Sequence, residues 1–339
     1  MSDTNGKDEK KLIIRLENVS KQFVRPMDIA QKLARKLGAD IREEIVHAVD
    51  NVNLSIAEGE VVGLAGESGC GKSTLGRIIS GILPSSSGTL CYKGQDISTF
   101  DSKAFRQYML NVQMIFQDPF ASLNPRMRVR DIIGEAPMAH GLSMRSEIDP
   151  YIDEIMTRCG LDPIYKRRYP HQFSGGQRQR IGIARALAVH PEFIVCDEAV
   201  AALDVSIQAQ ILNLFMKLRE ELSLTYLFIS HDLGVVEHIS DRIVIMYLGR
   251  VVEMAKTEEL FAGPNHPYSQ ALLREVPRLE NRRFQFTPVK GEIPSPLDPP
   301  SGCHFHPRCS HTYDRCYSQA PVLKEIAPGR LSACHLNGD

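Results

Sequence analysis

The 339 residues carry 40 Lys plus Arg against 41 Asp plus Glu, a formal charge of −1, so no basic surplus argues for nucleic acid or an acidic membrane face. With 43% hydrophobic and 24% charged residues the composition is globular, which excludes disordered and fibrous classes and predicts one large domain with appendages, or two domains. No apolar run approaches the roughly 20 residues that a membrane-spanning helix needs, the longest being short stretches such as Ile243 to Leu248.

Residues 1–11 are polar and charged without an apolar core, unlike a signal or transit peptide, and are expected to form a loose tail on a cytoplasmic protein. Leu12 to Leu16 and Val49 to Ile56 alternate as strands do. Between them Ile29, Leu33 and Leu37 recur every four residues beside Lys32, Arg35 and Lys36, which predicts an amphipathic helix inserted at about 26–46. From Val61 onward short buried strands alternate with helical patterns: Val61 to Leu64, Thr74 to Leu83, Phe193 to Cys196, Ile207 to Leu222, Tyr226 to Ile229 and Ile243 to Tyr247. That order predicts an α/β fold with a mostly parallel sheet. Residues 124–168 lack strand-like runs and read as helical. Beyond Phe261, Pro288, Pro294, Pro296, Pro299 and Pro300 exclude a helix interior and predict a linker to a cysteine-rich end.

The sharpest chemical signal is Gly66-Glu67-Ser68-Gly69-Cys70-Gly71-Lys72-Ser73, lying between an apolar strand and a helical pattern that opens at Thr74. This is a P-loop in its required setting: glycines turn backbone N–H groups toward an anion, Lys72 adds a charge for the β and γ phosphates, and Ser73 offers a hydroxyl to Mg²⁺. The strand Phe193 to Cys196 ends in Asp197 and Glu198, at the carboxyl edge where open parallel sheets bind ligands. Asp197 suits the Mg²⁺ shell, and Glu198 suits activation of the attacking water. Ser174-Gly175-Gly176-Gln177 opens another helical run, with Ser174 as its cap and two glycine amides beside it. A second phosphate nest, when one nucleotide needs a single P-loop, suggests an ATP shared between two chains.

The order of P-loop, Gln117, Ser174 to Gln177, Asp197-Glu198, Ala202-Leu203-Asp204 and Ser230-His231-Asp232 resembles the nucleotide-binding subunits of ABC transporters over about residues 12–255. That resemblance implies a P-loop NTPase of the ABC ATPase type: a mostly parallel core sheet, antiparallel N-terminal strands, a helical subdomain at about 118–185 within a domain of 12–262, and a small C-terminal extension at 263–339. It further implies that Phe23 stacks on adenine, that Gln117 links γ-phosphate, Mg²⁺ and the transmembrane partner, that Asp204 meets the opposing subunit, and that His231 senses the γ-phosphate. Ala199 and Ala201 depart from the usual Pro and Ser, at positions that ligate neither phosphate nor metal. Phe116 to Pro125, Ala202 to Gln210 and His266-Pro267-Tyr268 with Leu272 and Leu273 narrow the resemblance to ATPases of dipeptide and oligopeptide importers, a group that includes nickel and some oligosaccharide importers. The insertion resembles the second of the two unlike ATPases of such systems. The partners implied are a sister ATPase forming a heterodimer, two integral permease subunits and an extracytoplasmic solute-binding protein, with the chain peripheral on the cytoplasmic face of the membrane. The stretch Phe120 to Pro125, with Leu123 and Arg126, is the expected docking surface for the permeases.

Cys303, Cys309, Cys316 and Cys334 crowd the last 37 residues of the chain. Four thiolates in a loop-rich segment suit Zn²⁺ or an iron–sulfur cluster, and their spacing leaves the metal open, with His304, His306, His311 and His335 keeping zinc among the candidates. The importer resemblance implies a structural [4Fe-4S] cluster instead.

Overall fold

A computed structural model of the chain describes residues 11–26, 44–274 and 291–338. The helix expected in the 26–46 insertion, Pro288 and the tail up to residue 10 lie outside the described residues. The alternating stretches at the start are longer strands than their sequence pattern suggests. β1, Leu12–Arg25, and β2, Glu44–Ala57, pair antiparallel over their length, Leu16 opposite Leu54 and Phe23 opposite Val46. After β3, Val61–Ala65, the chain supplies β4, Ser87–Tyr92, and β5, Gln95–Asp96, which complete a four-stranded antiparallel sheet in the order β2-β1-β4-β5.

The second sheet is the core. It combines β3 with β6, Val112–Ile115, β7, Phe193–Asp197, β8, Thr225–Ile229, β9, Arg242–Tyr247, β10, Arg250–Lys256, β11, Lys324–Ala327, and β12, Arg330–Ser332. Its order is β11-β12-β10-β9-β3-β8-β7-β6. The run from β9 to β6 is parallel, and β10, β12 and β11 extend it antiparallel. Every residue of β3, β7 and β8 is buried, as expected of parallel strands covered on both faces.

Alternate side chains of these strands enter opposite layers. Phe193, Val195, Leu227 and Ile229 join an apolar layer with β1, β2 and Leu75, Ile78 and Ile79 of α1, Lys72–Ile79. Ile194, Cys196, Tyr226 and Phe228 join the opposite one. There they meet α6, Gly175–Leu187, and α7, Val205–Leu222. The earlier helices are α2, Ser102–Asn111, α3, Pro119–Ser122, α4, Val129–Ala139, and α5, Ile148–Arg158. Ile132 and Ile133 of α4 and Ile152 and Met156 of α5 pack beside α6 in the same layer, and no strand occurs among residues 124–168. A third apolar cluster lies under α8, Leu233–Ile239, α9, Thr257–Ala262, and α10, Pro267–Arg274, and Phe305 joins it. Residues 291–305 contain neither helix nor strand, in keeping with the prolines.

Candidate functional site

Crowding as well as a positive φ demands glycine at two positions of the loop, whereas Gly69 has open space around it and only its φ of +79 favours glycine. A Cβ on Gly66, at φ +152, would stand 2.2 Å from the Met246 carbonyl oxygen, and one on Gly71, at φ +105, 2.0 Å from that of Ala48. The loop is wrapped between β2 and β9, and α1 opens immediately after it, so the helix N-terminus faces the loop's interior. Lys72 is almost fully buried, and its ammonium donates to the carbonyls of Gly66 at 2.6 Å and Glu67 at 3.0 Å. Ser73 Oγ donates to Asp197 Oδ1 at 2.7 Å, which ties the helix start to the acidic end of β7.

Asp197 is buried, and that burial raises its carboxyl above the ordinary value, against the Ser73 hydroxyl and the charges of Arg77 and Lys72. Glu198 sits at φ +48, a left-handed conformation that turns its side chain out of the strand line. Its Oε2 accepts from Gln117 Nε2 at 2.7 Å and its Oε1 lies 3.4 Å from His231 Nδ1. Ser68, Gly69, Gly71, Lys72, Ser73, Thr74, Gln117, Glu198 and His231 thus line one cavity, together with Val46, Ala48 and Pro296. Three strand ends therefore deliver Gln117, Glu198 and His231 to the rim of the phosphate loop.

Residues 49–201 match the ABC transporter family, and residues 252–316 match the C-terminal region of oligopeptide/dipeptide transporters. The oligopeptide transport ATP-binding protein AppF of Bacillus subtilis is 49% identical over 96% of this chain and 97% of its own. YkfD of the same bacterium is 50% identical over 87% of this chain and 91% of its own. The chain belongs to the ABC transporter ATP-binding family of oligopeptide type. Among solved structures, cbiO1 of Clostridium perfringens, part of the cbiONQ transporter complex, superposes with a TM-score of 0.60 at 27% identity over 75% of this chain and 92% of its own. The cassette MJ0796, solved as a dimer bound to ADP and phosphate, gives 0.61 at 29% identity over 72% and 99%.

Within this ABC subunit, several candidate residues stay away from the cavity. Ser174 caps α6 by accepting from the Gln177 N–H, and Gln177 Oε1 accepts in return from the Ser174 N–H, a capping box. Gly176 packs so closely on α7 that a Cβ would stand 2.4 Å from Ile207 Cγ2. Neither these residues nor Gly175 line the P-loop cavity of their own chain. Asp204, at the cap of α7, makes no side-chain capping bond and is exposed beside Val205, which is 82% exposed. Phe23 is exposed outside the cavity with Lys21 Nζ 5.4 Å from its ring centre, yet its strand partner Val46 is in the cavity wall.

Cys70, under the loop, is buried, and that burial raises its thiol. Gln117 was legible through family order alone; Val46, Ala48 and Pro296 carry no chemical signature and become visible only when the chain is folded. Leu123 corrects the docking expectation: it is 1% exposed in the core, whereas Phe120 is 63% exposed under the Arg178 guanidinium at 3.8 Å.

The metal cluster at the C-terminus is overturned. Among the described residues no group of three or more His, Cys, Asp or Glu side chains could hold a metal ion. Cys303, Cys309, Cys316 and Cys334 do border one small cavity, but none of the groupings there is a ligand set. His306 Nδ1 lies 2.9 Å from the Cys303 carbonyl, and His335 Nε2 2.9 Å from that of Gln319. Neither the [4Fe-4S] centre nor the zinc alternative is supported, and the segment is held by packing and hydrogen bonds.

Proposed function

We propose that this chain is the ATP-hydrolysing subunit of an importer for oligopeptides, with the P-loop cavity as its catalytic site. The observation that carries the reading is the convergence of Ser73 with Asp197 and of Gln117 and His231 with Glu198 on one loop. The solute class follows the name of the AppF relative and of the matched C-terminal region.

ATP would lay its phosphates along the amides of Gly69, Gly71, Lys72, Ser73 and Thr74, with Lys72 exchanging the loop carbonyls for phosphate oxygens. Mg²⁺ fits Ser73, Gln117 and Asp197: a buried carboxylate with a raised pKa beside a hydroxyl gains from a dication, and Mg²⁺ takes its remaining oxygens from phosphate and water. Bound there, the ion would neutralise charge on the phosphates. Glu198 accepts the proton of a water whose oxygen bonds to the γ-phosphorus as the bond to the β–γ bridging oxygen breaks, leaving ADP and phosphate. Gln117 and His231 hold the Glu198 carboxylate and contact that water and the γ-phosphate.

Phe23 supports the adenine from the strand beside Val46. Ser174, Gln177 and Asp204, exposed and free of the chain's own loop, suit with the neighbouring Gly175 and Gly176 the ATP of a second cassette, in our reading a sister ATPase. No helix among the described residues is long and apolar enough to cross a membrane, so work on a membrane solute calls for separate permease subunits, with a solute-binding protein outside. The chain would sit peripherally on the cytoplasmic side.

The test is the assembled complex. Glu198→Gln is expected to retain ATP binding and to slow turnover by about 10²-fold to 10⁴-fold, the range for loss of a general base. Lys72→Ala is expected to lose ATP binding itself. Near-normal hydrolysis by the Glu198→Gln complex would overturn the assignment of the base.

A further inference from the structure

We infer that Arg308 and Tyr268, both from the C-terminal part of the chain, are positioning residues for the phosphate loop: they hold Glu67 so that the loop is preset for ATP. The inference rests on the reading of Gly66 to Ser73 as the phosphate site.

Glu67 places an acidic side chain within a loop built to receive the phosphates of a nucleotide, which opposes binding unless its charge is neutralised and turned aside. The fold does both from more than 200 residues away. Arg308 Nη1 donates to Glu67 Oε2 at 2.7 Å and Arg308 Nη2 to Oε1 at 2.8 Å, a fork that fixes the plane of the carboxylate as well as its charge. The Arg308 side chain is 4% exposed and that of Glu67 21%, so water screens the pair weakly. Tyr268 Oη accepts from the Glu67 N–H at 2.8 Å, which directs that amide away from the phosphates. The Glu67 carbonyl accepts from Lys72, so side chain, amide and carbonyl of one loop residue are all held.

The two clamps are rigid in turn. Tyr268 is fully buried against Tyr247, with ring centres 4.6 Å apart, and Phe305 packs 5.3 Å from each. Arg308 Nη1 also donates to Tyr247 Oη at 3.4 Å. The whole segment is seated on β10 through Glu253, wholly buried, which accepts from the N–H groups of Asn265 and His266 at 2.8 Å each and from Arg330 at 3.0 Å. A second point of contact lies at the cavity itself, where Pro296 forms part of the wall and its carbonyl accepts from the His47 N–H. Unseating the C-terminal segment would therefore free Glu67 and slacken the loop without touching a phosphate ligand.

The experiment is titration of the full chain with a fluorescent ATP analogue, followed by kcat and KM for ATP in the assembled complex. Arg308→Ala, which leaves the Glu67 charge uncompensated beside the phosphates, is expected to raise the ATP Kd and KM about tenfold while kcat at saturating ATP changes by less than about threefold, and Glu67→Ala, which frees the loop but removes that charge, is expected to raise them by a smaller factor. The double variant should be no worse than the worse single one, and exchange of the two charges in Glu67→Arg with Arg308→Glu should recover part of the loss. Should Arg308→Ala fail to fold, Glu67→Gln, altered only on the loop side, decides in its place by the smaller shift in Kd expected of Glu67→Ala. Unchanged Kd and KM in the folded single variants, or losses that simply add in the double variant, would overturn the inference. If instead the unaltered chain binds no ATP, or Lys72→Ala binds it as well as the unaltered chain, the phosphate-site reading itself fails.

Discussion

At the scale of single residues, Asp197, the Mg²⁺ ligand of our proposal, shows what a buried carboxylate costs the fold. Its folded-state carboxyl is raised by burial, so between its unfolded value and that raised value the folded chain binds more protons and stability falls as pH rises. Asp197→Asn removes that penalty while keeping an acceptor for the Ser73 hydroxyl. The nucleotide-free variant should therefore melt no lower than the unaltered chain at neutral pH, and its melting point should vary less as pH rises through the mildly acidic range. Mg²⁺-dependent hydrolysis should nonetheless disappear. A melting scan over pH beside an ATPase assay separates the two effects. The motif Gly66 to Ser73 was legible from the sequence because each residue type has a local reason to stand there. Tyr268 and Arg308 were not legible as loop contacts, since nothing near either of them in sequence refers to Glu67.

At the scale of elements, the segment from Gln117 to Arg126 divides into an exposed and a buried part that the sequence reads alike. Leu123 is packed among the helices of the opposite layer, so Leu123→Ala is expected to cost about 2–5 kcal/mol in a urea titration, the usual range for a buried leucine. Phe120→Ala gives up only an exposed ring and its cation–π contact with Arg178, no more than about 1 kcal/mol. If the permeases dock here, Phe120→Ala should release the folded chain from permease-containing membranes in a sedimentation assay. Four central strands of the core sheet, β3, β7, β8 and β9, were legible because burial on both faces makes them continuous apolar runs, whereas β6 and β10 of the same sheet were not read. β4, β5, β11 and β12 were missed because they are short and partly exposed, and the partners that tie β4 to β1 and β12 to β10 lie far away in sequence.

At the scale of the whole molecule, the C-terminal part is seated on the core beside a buried histidine that does not tolerate charge. His266 is 2% exposed, and burial lowers its pKa from 6.5 to about 4. For a base depressed in the folded state, the unfolded chain binds more protons between those two values, so stability is complete above 6.5 and is lost as pH falls toward 4. The full shift corresponds to about 3 kcal/mol. Since His266 lies between the Glu253 anchor and Tyr268, acidification should loosen this segment before the core sheet. Hydrogen exchange at pH 7 and pH 5 should show faster exchange around residues 264–274 at the lower pH, and His266→Gln should flatten that difference. Equal protection at both pH values would remove His266 from this role.

The sequence by itself determined the chemistry at the phosphate loop, the alternation of strands and helices behind it, and the family, because those features are set by residue type, local spacing and order. Only the tertiary structure decided which distant residues share the loop. Val46, Ala48 and Pro296 reach the cavity, and Tyr268 and Arg308 reach Glu67, because β2, β9 and the C-terminal segment fold around the same glycines. It also decided against the metal centre. Four cysteines near one another in sequence satisfy the composition of a cluster, but a metal needs three or more donors aimed at one point, and that is a property of backbone directions that spacing along a proline-rich chain does not specify.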